Sequence, residues 1–432
     1  MCDGASPSAA GAGRRAVVPN MCVKCKTAPP SIAIRRILYC KACFVRASVA
    51  KFRTAHTKSL KGAPRPRPRA MVALSGGAAS SALLRLAADH QAMARKGTEA
   101  APPYAGITVG HIDESALFPG APESEIRAAA AASGLPCVWA ALEDAFAPGE
   151  GRAALLELAQ ATPQAGILAR LARAPDGASG RAQLAALFAG LGSATDREDM
   201  LQMLKTALIV DMARRSGCGV VLVGDSATRI AVRAMSLTSR GRGFSLPLDV
   251  GAEMRWFDGV DVYRPMRDFV AKEIAFFNRW TGQPSAAVPT FTTGQPRSAS
   301  IDRLSEAFIV ELDQGFASTV PTVCRTLQKL EPCAEARAAR PCAACGMPAD
   351  IDGCETPADI DGCETPADIG DCGAPADIDV SAALCYSCRG LLRRAAPGTA
   401  LPQFCLARLE AADAGARRAA LRRQIDAFLI GE

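Results

Sequence analysis

Two Cys-x-x-Cys pairs, Cys22/Cys25 and Cys40/Cys43, stand fourteen residues apart near the start of the chain. Two sulfurs at that spacing can reach one ion, and the segment between the pairs must fold back to bring the second pair to it. Four thiolates complete a tetrahedral zinc site and leave no open position, so the expected role is structural. An iron–sulfur cluster or a redox pair are the alternatives for the same pattern. A second set, Cys342, Cys345, Cys385 and Cys388, repeats the pattern with a longer spacer. The spacer contains ADIDGCETP at 349–357, the same nine residues at 358–366 and a degenerate copy at 367–375. Without the repeats the spacing would be ordinary, so this set is also read as a structural zinc site. Cys354, Cys363 and Cys372 recur through the duplication and are read as bystanders.

The remaining charge and cysteine pattern narrows the setting. The chain has seventeen cysteines and opens with Asp3 in a Gly/Ala/Ser-rich stretch. With no apolar run of signal-peptide length, metal ligands and free thiols in a reducing, cytoplasmic compartment are expected. No segment reaches the ~20 apolar residues that a spanning helix needs, so no membrane partner is expected. Formal charge is +7, unevenly spread: residues 1–70 carry fifteen Lys/Arg and one acid, and residues 349–380 carry ten acids and no Lys/Arg. Lys24, Lys26, Arg35, Arg36 and Lys41 would make the first zinc unit a rigid basic surface suited to a polyanion such as RNA; a solvated arm is the alternative.

Periodicity gives the organisation. Residues 1–19 read as disordered, 20–60 as the N-terminal zinc-binding unit and the proline-rich 61–69 as a linker. From 70, strands at 70–75, 105–113, 135–142 and 219–225 alternate with helices at 80–96, 123–133, 197–215 and 226–237. That alternation predicts an α/β domain with a parallel sheet over 70–290. Residues 150–195 are Ala/Gly-rich and poorly patterned. An amphipathic helix is expected over 263–281, after Pro265. A helical connection over 291–339, a C-terminal zinc unit over 340–392 with the acidic insert 349–380, and a basic helical tail over 393–432 complete the chain.

The turn LSGGAAS, residues 74–80, joins the first strand of the sheet to a helix. Gly76 and Gly77 allow close backbone approach, and Ser75, Ser80 and Ser81 add hydroxyls, as a phosphate cradle at a helix N-terminus requires. An ordinary strand-to-helix turn is the competing reading. The three histidines, His56, His90 and His111, have no sequence partners; His111 is expected in a surface loop. Cys137 and Cys218, in or beside apolar strands, are expected to be buried as small hydrophobes.

Together, the cysteine units and the Ser-Gly-Gly turn resemble the PP-loop tRNA thiolation proteins. Residues 193–247 and 263–279, with LCYSCRGLL at 384–392, sharpen the resemblance to the cytoplasmic tRNA 2-thiolation protein 2 family. It extends over roughly 20–60, 70–142, 193–290 and 340–430. The resemblance implies a PP-loop, adenine nucleotide alpha-hydrolase-like fold flanked by two zinc units. It implies a cytosolic subunit that helps 2-thiolate the wobble uridine of tRNAs. Its implied partners are tRNA, a catalytic PP-loop paralogue in a heterodimer, and a ubiquitin-like sulfur carrier acting through the complex. Active members carry a lysine or similar residue and an aspartate where this chain has Ala78 and Ala79, and a central CxxC pair where 138–217 holds no cysteine. After the fourth strand, Gly-His-Asn and paired aspartates give way to Gly224, Asp225, Ser226, Ala227 and Thr228. The departures imply no catalytic residues here, leave ATP binding open, and make Ser75, Gly76, Gly77 and Ser80 a degenerate nucleotide loop. A self-sufficient ATP-dependent thiolase and a zinc-ribbon RNA-binding protein unrelated to sulfur are the alternatives.

Overall fold

The computed structural model describes residues 20–34, 37–60, 66–95, 102–147, 178–257, 259–316, 318–349, 383–397, 399, 401–402 and 404–409. The stretch 1–19, most of the linker, Arg35, Arg36, the three repeat cysteines and the end of the basic tail lie outside these residues. The chain divides into two compact units, 1–51 and 52–432. In the first, strands β1 (Ile32–Ile34) and β2 (Ile37–Tyr39) pair antiparallel and lead into helix α1 (Lys41–Ser59), whose last residues belong to the second unit.

The second unit is built on a six-stranded sheet of order β5-β4-β3-β6-β8-β7. β3 (Arg69–Ala73), β4 (Gly106–Asp113), β5 (Cys137–Ala141), β6 (Cys218–Leu222) and β8 (Val260–Tyr263) run parallel, and β7 (Glu253–Phe257) closes the edge antiparallel to β8. The middle of β3 and of β6 is apolar and buried, as parallel strands covered on both faces require. Helices α2 (Ala78–Arg95), α3 (Glu123–Ala132), α5 (Ala194–Arg215) and α6 (Ala227–Ser239) connect or cover the strands. Serines start α5 and α6: Ser193 accepts a hydrogen bond from the Asp196 amide at 3.0 Å, and Ser226 from the Arg229 amide at 3.2 Å. The poorly patterned region yields one ordered piece among its described residues, α4 (Gly180–Ala189), capped by Ser179.

The helix expected over 263–281 is shorter than its amphipathic pattern. Tyr263 ends β8, α7 (Leu246–Val250) lies upstream, and α8 spans only Ala271–Thr281. The difference has a local cause. Buried Arg264 donates to Gly251 O at 2.9 Å and pairs with Asp225, so residues 264–270 turn to serve the sheet. α8 starts where Glu273 accepts from the Val270 amide at 2.9 Å and stops at Gly282, φ +69°. Helices α9 (Ile301–Gly315) and α10 (Thr319–Leu327) pack with α6, and α11 (Ala334–Ala338) and α12 (Tyr386–Arg394) follow.

The structure brings His56 and His90 together, which sequence separation concealed. Their Nδ1 atoms lie 3.1 Å apart, and His56 Nε2 meets the Tyr104 hydroxyl at 2.6 Å. Burial, with His90 beside it, pushes the His56 pKa down to about 3. The unfolded ring takes up a proton near pH 6.5, and the folded ring stays neutral to about pH 3. The contribution of His56 to stability is therefore intact above pH 6.5 and falls away as pH drops toward 3, by at most about 1.4 kcal/mol per pH unit. In denaturant titrations at pH 7 and pH 5, His56→Gln should lose less stability over that interval than the parent chain. Equal losses would rule out a buried neutral His56.

Candidate cleft and metal centres

β3 sits between β4 and β6, so the order of successive strands reverses at the β3/β6 pair, where open α/β sheets form a crevice outside the strand ends. A cleft of about 670 Å³ opens there, lined by Ser75, Gly77, Ala78, Ala79 and Ser80 from the turn after β3 and by Gly224, Asp225 and Ser226 from the turn after β6. Gly76 turns the chain with φ +80°, and a Cβ on it would stand 2.5 Å from Ile126 Cδ1 of α3. A Cβ on Gly224 would stand 2.9 Å from the Ser80 amide nitrogen, so the β6 turn runs directly against the start of α2. Asn278 of α8 donates to Ala78 O at 2.8 Å, and the Ala286 amide donates to Gly76 O at 2.9 Å. The turn is thus fixed from three sides.

The structure gathers Ser75, Gly76, Gly77 and Ser80 into one tight loop. Ser80 Oγ lies 3.2 Å from Ser75 Oγ, accepts from the Ser75 amide at 3.2 Å and donates to Gly77 O at 3.0 Å. The two hydroxyls serve each other and the turn. Ala78 and Ala79 occupy the first turn of α2 and bring only methyl groups to the cleft.

The charged lining was invisible in the sequence because its members are far apart in the chain. Glu114, buried at the end of β4, pairs with Lys205 of α5. Asp225 pairs with Arg264 at 3.1 Å, and Asp249 with Arg233 at 3.0 Å. Glu306 pairs with Arg303 at 3.3 Å. Every described carboxylate that lines the cleft is therefore held by a cation. Arg229, exposed on α6, has no carboxylate partner among the described residues. The expectation of a surface loop for His111 is corrected: the ring is buried on β4, with Nδ1 2.7 Å from Leu74 O and Nε2 2.8 Å from Glu123. It ties the end of β3 to α3 because the strand pairing carries it inward. Cys218 is buried in β6 as expected, and Cys137 is half-buried at the start of β5.

Each set of four cysteines converges. Cys22, Cys25, Cys40 and Cys43 form one group and Cys342, Cys345, Cys385 and Cys388 another, with the sulfurs of each within 4.8 Å of one another. The two centres are assembled alike. In one pair, a tight turn closes when the Lys26 amide donates to Cys22 O at 2.9 Å or the Gly346 amide to Cys342 O at 2.8 Å. The residue after each turn is left-handed, Lys26 at φ +58° and Gly346 at φ +76°. The other pair brackets a helix start, Cys40/Cys43 at α1 and Cys385/Cys388 at α12, where the helix dipole favours thiolate.

A divalent metal fits these donors. A tetrahedron with ~2.3 Å metal–sulfur bonds has edges of about 3.8 Å. Cys25 and Cys40 lie 3.8 Å apart, and Cys345 and Cys385 lie 3.9 Å apart. Buried cationic nitrogens beside the second centre lack hydrogen-bond partners: Arg242 Nε, and Nη1 of Arg408, which leans on Gly346. Four thiolates around a divalent ion would place a dianion beside these donors. Lys24, Lys26 and Lys41 are exposed around the first centre.

Comparisons with known proteins follow this geometry. Residues 300–390 match the sequence model of a family described as "Cytoplasmic tRNA 2-thiolation protein 2". The protein of that name from Bos taurus is 33% identical over 353 residues, covering 74% of this chain and 69% of the relative. Its Homo sapiens counterpart is 33% identical over 354 residues, covering 72% and 67%. Among solved structures, the U34-tRNA thiolase NcsA from Methanococcus maripaludis with its [4Fe-4S] cluster is similar. Its TM-score is 0.51 at 13% identity, covering 73% of this chain and 89% of NcsA, which establishes a shared fold.

The loop geometry makes a direct prediction. Gly76→Ala should cost about 2–4 kcal/mol, since it combines a strained φ with a clash against Ile126. Ser75→Ala should cost less than about 1 kcal/mol, one internal hydrogen bond. Urea unfolding of both variants checks the contrast; equal costs would contradict the geometry.

Proposed function

The chain belongs to the cytoplasmic tRNA 2-thiolation protein 2 family, and from that premise we propose that it is the non-catalytic subunit of a cytoplasmic complex that thiolates the wobble uridine of tRNA. A role in tRNA 2-thiolation follows from the family and agrees with the fold it shares with a tRNA thiolase. The observation that carries the non-catalytic reading is the cleft. Its described carboxylates are all taken by Lys or Arg, and Ala78 and Ala79 stand at the helix start. Adenylyl transfer needs the phosphates' charge neutralised, commonly by a metal held on free carboxylates, and this cleft offers none among its described residues. The adenylation then falls to a PP-loop paralogue in a heterodimer, with sulfur arriving from a ubiquitin-like carrier. This chain supplies fold complementarity and a share of the tRNA contact. Lys24, Lys26, Arg35, Arg36 and Lys41 are the phosphate-facing cations of this reading, consistent with exposure of the three described lysines.

Both cysteine centres are read as structural zinc. Each closes four sulfurs around one point, whereas a catalytic or cluster-transfer site keeps a position open. Cys22, Cys25, Cys40 and Cys43 would hold one ion, and Cys342, Cys345, Cys385 and Cys388 the other. Bound zinc would lend folding free energy to both units.

Reconstitution with tRNA, ATP and a sulfur donor tests the assignment. Thiouridine should form when this chain and its paralogue are combined, and not with this chain alone. Thiolation by the isolated chain would overturn the non-catalytic reading. Lys24→Glu/Lys26→Glu/Lys41→Glu should weaken tRNA binding and flatten its salt dependence, because fewer counterions are released.

Metal analysis of anaerobically purified protein tests the second part. About two zinc ions per chain are expected, falling to one in Cys25→Ser. Iron with matching sulfide would replace the zinc reading by a cluster.

A further inference from the structure

The second cysteine centre touches a buried arginine that the proposed function leaves unused. We propose that Arg242 is the positioning residue of the metal held by Cys342, Cys345, Cys385 and Cys388, donating to the Cys388 thiolate. The proposal rests on the metal reading of that centre. Arg242 lies between α6 and α7 and is 8% exposed. Its Nη2 donates to Asp199 Oδ2 at 2.8 Å and reaches Cys388 Sγ at 3.6 Å. Asp199 also pairs with Arg240 at 3.0 Å, and Arg240 with Asp302 at 3.1 Å. Asp199 thus aims Arg242, while Arg240 is shared between Asp199 and Asp302, so it is the Arg242 guanidinium of this network that reaches the sulfurs.

The need for a donor there follows from burial. Four thiolates around a divalent ion form a dianion, and the four cysteines are between 0% and 7% exposed. Taking such charge out of water is unfavourable unless hydrogen bonds from the protein replace those of the solvent. A donor to one ligand also orients that ligand, and loss of such outer partners typically costs 10–100-fold in metal affinity. The first centre provides an internal control. Arg46 donates to Cys43 Sγ at 3.4 Å, but Arg46 is exposed, so water can replace it.

The test uses the full chain loaded with zinc, with each ion's release followed by a chromophoric chelator. Wild type should hold two ions; one ion or none overturns the metal premise and this proposal with it. In Arg242→Met, one ion should be released at roughly 10–100-fold lower chelator concentration, and the other should be unchanged. In the cobalt-substituted protein, the sulfur-to-cobalt charge-transfer band of one centre should shift. Arg242→Lys keeps the charge without the planar fork and should restore part of the affinity. Asp199→Asn should fall between wild type and Arg242→Met. Arg46→Met should match wild type at both centres. Two ions bound in Arg242→Met with wild-type release and an unshifted cobalt band would overturn the proposal. If Arg242→Met does not fold, wild-type release from both Arg242→Lys and Asp199→Asn would overturn it equally.

Discussion

Parallel pairing of β3 with β4 on one side and β6 on the other is the constraint from which the functional geometry follows. It aligns the carboxyl ends of three strands and forces their helices to leave from the same edge. The turns after β3 and β6 therefore meet, closely enough that Gly224 has no room for a Cβ against the start of α2. His111 reinforces the arrangement by tying Leu74 to Glu123 across the same edge. The cleft is a consequence of strand order, and the loop that enters it after β3 reads Ser-Gly-Gly-Ala-Ala.

What fills the cleft edge is charge already spent within the protein. Glu114 with Lys205, Asp225 with Arg264 and Asp249 with Arg233 join strand ends to the helices around them. Buried pairs of this kind gain little over apolar packing, yet breaking one leaves an uncompensated charge worth about 3–5 kcal/mol. They therefore fix the arrangement of the site more than they stabilise the fold.

The cysteine centres illustrate a second economy. Each combines a tight turn ending in a left-handed residue with a helix N-terminus. The turn points two sulfurs inward, and the helix end supplies two more where its dipole favours negative charge. Glycine follows the turn at 346 and lysine at 26, and both are left-handed, so gathering the sulfurs outweighs the modest strain of a left-handed lysine.

The sequence by itself determined the periodic and short-range features. The alternation of strands and helices, the Ser-Gly-Gly turn and both cysteine sets were legible because each is written in local spacing, and their physics acts over a few residues. The tertiary structure alone decided the rest. The amphipathic pattern of 263–281 could not reveal that Arg264 would be drawn to Asp225 and hold its neighbours in a turn. Nor could it reveal that His56 would meet His90, or that Lys205 would close on Glu114, 91 residues away. Those contacts depend on which strands lie side by side, and burial then sets their strength, since a charge or imidazole removed from water must find its partner inside the protein.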